Sequence, residues 1–324
     1  MPPVALEART RPRLLPLPLL VAAAAMALHL VVPALSAVLV ALALGAVVAN
    51  SGLVTGDRLA READTARRML RTGVVALGLR LPFQELVSIG VPGLVVVVTT
   101  VLVTYQLTRW IGIRLGLDDG VVSLVAAGFS ICGAAAIAAM SDVLRSRQRD
   151  AALAVAMVTV FGGAMIVVVP WSSRLLELSD LQAAVWSGAS IHEVAQVAAA
   201  ASAIGSGAVA LAMLIKLGRV AMLAPVCWFA GRAVSGTRTG PVVPWFIIGF
   251  VAMAGLRSAT TLTPAAMDAA EALTTLLLAG GMVGLGLGLR LRDLWPIPVR
   301  LLLLAGLSTC AAVGWSLGLV AILY

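Results

Sequence analysis

Eleven apolar runs follow one another along this chain, at about 14–32, 34–50, 72–91, 93–111, 120–140, 150–170, 181–203, 206–230, 244–263, 270–289 and 299–322, parted only by short charged or Pro/Gly breaks. A helix that crosses a bilayer needs about 20 apolar residues. Lipid offers the backbone no hydrogen-bond partners, so such runs are best satisfied as helices. The composition agrees: 61% of the 324 residues are hydrophobic and 12% charged, and mean hydropathy is +1.05. Soluble domains carry about 25% charge. The spacing therefore predicts an all-α polytopic membrane protein of ten or eleven membrane segments. A short cytoplasmic tail spans 1–13, and 14–324 form a single transmembrane domain. A soluble enzyme or regulator is excluded.

The formal charge of +8 raises the question of nucleic acid, but the 23 basic residues are scattered among short loops and form no stripe. They read as topology signals, and no nucleic-acid partner is expected. With Arg9, Arg11 and Arg13 in the cytoplasm, the positive-inside rule puts the 51–71 loop (Arg58, Arg61, Arg67, Arg68, Arg71) there too. The turn with Arg109 and Arg114 and the loops with Arg232 and Arg238 and with Arg290 and Arg292 follow. Residues 141–149 (SDVLRSRQR) break the pattern, because eleven plain crossings put their three arginines outside. The conflict vanishes if 120–140 and 181–203 are both re-entrant, the first from the cytoplasm and the second from outside.

Those same two segments share a motif that the charge argument did not use. GFSICGAAAIAAM (128–140) and GASIHEVAQVAAA (188–200) both read Gly-x-Ser-Ile before a small-residue helix. Glycine ahead of an N-capping serine predicts a half-helix that starts inside the membrane, whether the segment re-enters or is a crossing unwound at that point. Non-helical backbone at that depth survives only when buried in protein or lining a cavity, so two breaks predict a shared site. Ser130, Gly133 and Ser190 then offer donors at positive helix ends that suit an anion. The alanines at 135–139 and 198–201 read as close-packing seams.

Ser190 to Glu193 fits a capping box, which is the structural reading of Glu193. The chemical reading makes His192 and Glu193 protonatable groups in a low-dielectric cavity, with Gln196 within helical reach of both. Lys216 and Arg219 in IKLGRVAMLAP share a helix face. Each costs about 2.5–3.5 kcal/mol at the centre of a lone helix, so both are expected to face protein or water, with Glu193 a candidate partner. The alternative leaves Lys216 snorkelling at an interface. Arg257, Asn50 and Arg80 lie nearer run ends and carry less. HEVAQ resembles an HExxH zinc motif, but position 196 is Gln where the second imidazole belongs. No metal, cofactor or enzymatic role is expected.

Other features are structural. Cys132, Cys227 and Cys310 are far apart and in apolar surroundings, which argues against a disulfide framework. Trp110, Trp171, Trp245 and Trp295 stand near run ends as interface anchors. The N-terminus imitates a secretory signal, yet another apolar run follows at once, so it is read as a retained first helix. LGLRL recurs at 77–81 and 287–291 and hints at duplicated halves.

Taken together, GFSICGAAAIAA, SGASIHEVAQVAAA, KLGRVAMLAP and PWFIIGF, with an LLRTG-type stretch ahead of LGLRL, resemble the YeiH-type family of conserved bacterial membrane proteins, also described as sulfate exporters. The resemblance covers roughly 40–320. Phe129 stands where the family mostly has Thr, so this chain lacks a hydroxyl there. The family is grouped with the bile acid, arsenite and riboflavin transporter superfamily, which implies inverted repeats and crossed, unwound helices.

The combined expectation is a secondary transporter in the bacterial cytoplasmic membrane, N-terminus inside, exporting sulfate or a related small oxyanion. Ser130, Gly133 and Ser190 supply donors, Lys216 and Arg219 charge, and His192 with Glu193 proton coupling. Lys216→Met is then expected to abolish anion binding in a protein that stays folded. Its partners are a small anionic substrate and the lipid bilayer, and a homo-oligomer is compatible with the sequence. A sodium- or proton-coupled uptake carrier for an organic anion is the alternative. An anion channel and an intramembrane metalloenzyme come after it.

Overall fold

The computed structural model describes residues 16–32, 37–52, 56–81, 87–235, 245–287 and 298–324. Among the described residues the chain is helix joined by short turns, with no strand. Helices α1 (Leu17–Val31), α2 (Ala37–Asn50), α3 (Gly56–Leu77), α4 (Gly90–Arg114), α5 (Asp119–Ser130), α6 (Ala134–Leu144) and α7 (Gln148–Leu175) are followed by α8 (Asp180–Ser190), α9 (Val194–Ile204), α10 (Ser206–Ala221), α11 (Leu223–Ser235), α12 (Trp245–Ala259), α13 (Pro264–Leu287) and α14 (Val299–Leu323). Among the described residues, five stretches are long and apolar enough to cross a membrane: α4, α7, Gly207–Arg232 across α10 and α11, α13, and α14. The tail 1–13, the second LGLRL beyond Leu287, Trp295, and Arg238, Arg290 and Arg292 lie outside the described residues.

Two bundles form. In one, α13 packs along α1, α2 and α3, and α12 packs on α3. Gly45 and Gly286 let α2 and α13 meet backbone to backbone: a Cβ on Gly45 would strike the Val283 carbonyl, and one on Gly286 the Leu42 carbonyl. The other bundle holds α4–α11 and α14. Its core includes Phe129, Trp186 and Ile191, all at most 1% exposed. The Trp186 indole donates to the Val313 carbonyl at 3.1 Å, tying α8 to α14, and Thr108 donates to Ser308 at 2.9 Å, tying α4 to α14. Leu30, Val167 and Ile322, 72–80% exposed, belong to the apolar outer surface that lipid requires. Trp110, Trp171 and Trp245 are 56–63% exposed near helix ends, as anchors should be.

Residues 51–71, expected as a loop, are helical from Gly56, and that helix runs on into the apolar stretch as far as Leu77. Its pattern is amphipathic: Arg61, Arg67 and Arg68 are exposed, while Ala66 and Leu70 are buried. The run 72–91 is therefore not one helix. A 3-10 turn at Gly78–Arg80 follows α3, and the next described helix, α4, begins at Gly90. Pro82 accounts for the stop, since the residue before a proline is disfavoured in helix.

Both segments singled out by motif and charge are broken at mid-length. Three residues, 131–133, separate α5 from α6, and three residues, 191–193, separate α8 from α9. Each arm has 11 or 12 residues and so spans roughly 16–18 Å, about half a bilayer's hydrocarbon core. The arms begin with firm caps. The Asp118 carboxylate accepts from Gly120 N–H ahead of α5, and Ser179 with Gln182 forms a capping box ahead of α8.

The ends of each pair come together. Asp118, before α5, lies within electrostatic reach of Asp150 in the first turn of α7, and the end of α6 is tied to α3 by the Arg71–Asp142 ion pair at 2.6 Å. At the far end of α7, Arg174 donates to the Ala203 carbonyl near the end of α9 at 2.9 Å. There too a Cβ on Gly205 would stand 3.9 Å from the carboxylate of Asp180, where α8 begins.

Candidate functional site

A helix leaves its last carbonyls and first N–H groups without partners, and inside a membrane these must be satisfied by protein or cavity. The two breaks divide that task by polarity. The carbonyl ends of α5 and α8 converge on α10. Arg219 Nε donates to the Ser130 carbonyl at 3.0 Å, Nη1 to the carbonyls of Gly188, Ala189 and Ile191 at 3.3, 2.6 and 2.9 Å, and Nη2 to those of Phe129 and Ser130, both at 2.9 Å. Lys216 Nζ donates to the Ile131 carbonyl at 2.7 Å and to that of Ile191 at 2.8 Å. Both side chains are 0% exposed, so the snorkelling alternative for Lys216 falls. All five guanidinium N–H groups are held by carbonyls at negative helix ends, the placement the helix dipole favours.

The serines differ from their expected role. Ser130 and Ser190 close α5 and α8 instead of opening the following helices. Their hydroxyls donate back to the Ala126 and Trp186 carbonyls, both at 2.6 Å, and both residues are 0% exposed. The reason is the order of residues. Helix continues through Gly-x-Ser because i−4 carbonyls receive the hydroxyl, and the chain bends only at Ile131–Gly133 and Ile191–Glu193. The expected Ser190–Glu193 box gives way to one three residues later, where Gln196 Oε1 accepts from Glu193 N–H at 3.1 Å. Gln196, in the position of a second zinc histidine, packs on α7 at Gly162, where any Cβ would strike its amide.

Gly133 opens α6 at φ +78°, a left-handed conformation that costs a side-chain-bearing residue roughly 1–2 kcal/mol. A Cβ there would also strike Glu193 Cγ. The Glu193 carboxylate crosses from the second break to the first and accepts from Ala134 N–H at 3.3 Å. It is 7% exposed, and no ion pair joins it to Lys216 among the described residues. Beside it, His192 Nδ1 faces the Phe129 carbonyl at 3.3 Å and Nε2 the Thr309 hydroxyl at 3.0 Å, with the Phe129 ring 4.5 Å from the imidazole. A carbonyl only accepts, so Nδ1 carries a proton. Thr309 was not singled out in the sequence, because one hydroxyl on an apolar helix has no distinguishing pattern.

A cavity of about 610 Å³ opens between the two bundles against the breaks. Cys132, Ala134, Ala135, Glu193 and Val194 face it from the breaks, so the positive ends of α6 and α9 point into it while the negative ends point away toward Lys216 and Arg219. His29, Arg80 and Glu271 line the opposite wall, and Arg80 pairs with Glu271 at 2.7 Å. Of the two residues assigned to coupling, Glu193 reaches the cavity and His192, at 0% exposure, stands behind it.

A sequence model of the family described as conserved hypothetical protein 698 matches residues 13–305. The chain belongs to that family. It is also similar to UPF0324 membrane proteins of Corynebacterium glutamicum, 38% identical over 85% of this chain and 81% of the relative, and of Pseudomonas aeruginosa, 38% identical over 84% and 82%. A third such protein, from Yersinia pestis, is 39% identical over 73% of this chain and 70% of its own length. No solved structure matches. The family is thus one of bacterial membrane proteins, in agreement with the resemblance carried by the SICG, SIHE and KLGR motifs.

Proposed function

We propose that this protein is a secondary carrier of a small oxyanion in the bacterial cytoplasmic membrane, sulfate or an organic relative, with its N-terminus inside. The α5–α6 and α8–α9 segments are re-entrant hairpins that dip from opposite faces and meet tip to tip. One observation carries this reading: the cavity receives the positive ends of two half-helices, and a carboxylate of the protein itself, Glu193, occupies the first of them. In this reading Glu193 is a resident anion. Protonation releases Ala134 N–H for the substrate, and departure of the substrate returns the carboxylate, which couples anion and proton movement. Lys216 and Arg219 contribute through their field and by fixing the tips, since carbonyls already hold the guanidinium donors. The export direction rests on the family resemblance.

The test is thermal stability of the purified protein against sulfate, sulfite and sulfoacetate, with chloride as control, at pH 6 and pH 8. A ligand of the folded state at 100 times its Kd adds about 2.7 kcal/mol. The expected result is a saturable shift with an oxyanion, larger at pH 6. No shift with any oxyanion in folded protein defeats the proposal.

The hairpin topology has its own test. A cysteine at Arg145→Cys should be labelled only from the cytoplasm and one at Leu178→Cys only from outside, and the reverse pattern would establish plain crossings. The second reading, uptake of an organic anion coupled to a cation, draws on the apolar cavity wall of Met213, Val220, Leu278 and Met282. Stoichiometric sodium dependence would favour it.

A further inference from the structure

A second cavity, of about 370 Å³, lies between α3 and the end of α6, next to the one described above and sharing only Leu70 with it. Arg67 and Arg71 face it from α3, Asp142 and Arg145 from α6, and Ser146 and Gln148 from the turn into α7. Its floor is alanine, leucine and glycine from α3, α6 and α13. Three guanidiniums thus stand against one carboxylate. Asp142 holds Arg71 in a two-pronged pair, Nε at 2.6 Å and Nη2 at 2.8 Å, which fixes that guanidinium at the wall. Arg67 and Arg145 have no hydrogen bond or ion pair among the described residues, so their donors are free.

Two further observations mark this as a binding pocket. The Ser146 hydroxyl is shut off from solvent with no partner, although buried hydroxyls are normally satisfied. Arg145 closes α6 at φ +52°, a left-handed conformation that arginine rarely adopts. The start of α7 has no side-chain cap and carries Asp150 in its first turn, so the positive charge of the cavity is that of its guanidiniums.

We propose that this cavity binds a phosphate group, with Arg67 and Arg145 as its forked donors and the Ser146 hydroxyl as a third contact. Guanidinium forks match the oxygens of phosphate, and an excess of two positive charges suits a phosphate monoester or an anionic phospholipid headgroup. The bound group joins the two bundles, because Arg67 belongs to one and Arg145 to the other. The apolar floor accepts the carbon side of a headgroup, while inorganic phosphate needs only the rim.

The experiment uses the full chain in nanodiscs. Melting temperature and retained phosphate, the latter by native mass spectrometry, are measured in phosphatidylcholine discs with and without inorganic phosphate, and in discs containing phosphatidylglycerol. Chloride at equal ionic strength is the control. Stabilisation by phosphatidylglycerol alone assigns the pocket to a headgroup; stabilisation by inorganic phosphate as well assigns it to soluble phosphate. In either case the Arg67→Gln/Arg145→Gln variant should weaken binding at least tenfold with an unchanged melting temperature in plain phosphatidylcholine. If that variant does not fold, Arg67→Gln alone carries the same expectation. No stabilisation, an equal response to chloride, or full binding by the variants overturns the proposal. None of these outcomes depends on the oxyanion test of the central cavity, so the two readings fail separately.

Discussion

Replacing Arg219 by methionine should destabilise the protein by about 3–5 kcal/mol, the cost of removing one side of a buried charged network. The loss exceeds that of an ordinary core truncation because the neighbours change state. The carbonyls of Ser130, Gly188 and Ala189 lose their side-chain donor in a region water does not reach, and those of Phe129 and Ile191 are left with His192 and Lys216 alone. Lysine should not restore it in full, since an ammonium has three donors where the guanidinium of Arg219 reaches five carbonyls. Thermal denaturation in detergent reads the effect, and a variant within 1 kcal/mol of the parent would show that the tips do not depend on this clamp. Lys216→Met, which strips the Ile131 carbonyl of its side-chain donor and leaves that of Ile191 to Arg219, should follow in the same direction and by less. This reverses the expectation drawn from sequence, in which that variant lost anion binding but kept its fold.

Glu193→Gln should have the largest effect on transport. Glutamine keeps the volume over Gly133 and can still accept from Ala134 N–H through its amide oxygen, so the fold should hold. It can neither carry the charge nor exchange a proton. In proteoliposomes the expected outcome is oxyanion exchange that persists while its pH dependence disappears, with net proton-coupled flux reduced at least tenfold. A variant with unchanged pH dependence would transfer the coupling role away from Glu193. Gly133→Ala offers an independent approach to the same contact, because its Cβ would push the Glu193 side chain off the α6 terminus. It should impair transport even though no polar group is altered.

Much of this architecture could be read from the chain because lipid punishes ambiguity. Long apolar runs have one backbone solution, and the arginines at 145, 147 and 149 were on the wrong side unless two segments turned back. The resemblance between GFSIC and GASIH pointed to the same two segments. The position of the bends within those motifs was less legible. A serine before a small-residue run suits either an N-cap or an i−4 back-bonded helix end, and only the carbonyl acceptors supplied by the three-dimensional fold decide between them. Similarly, Lys216 and Arg219 were identifiable as buried cations from their cost in lipid. Their partners are main-chain oxygens, which every residue has, so no side-chain pattern could disclose them. The helical nature of 56–71 was masked by its charge, although the spacing of Ala66 and Leu70 among the arginines held the signal.

The clamp at Arg219 also limits how such a molecule can move. Parting the two tips like gates would break the guanidinium away from one set of carbonyls at its own expense, and nothing nearby would replace it. Between the bundles the hold is lighter, with the Arg71–Asp142 bridge at the surface and the open cavity beneath. In the carrier proposed above, a large displacement would take the path of shear, with the paired tips travelling as one rigid block past the α2–α3–α13 wall. The compartment beside Glu193 would then change the face to which it opens without either broken segment unlocking.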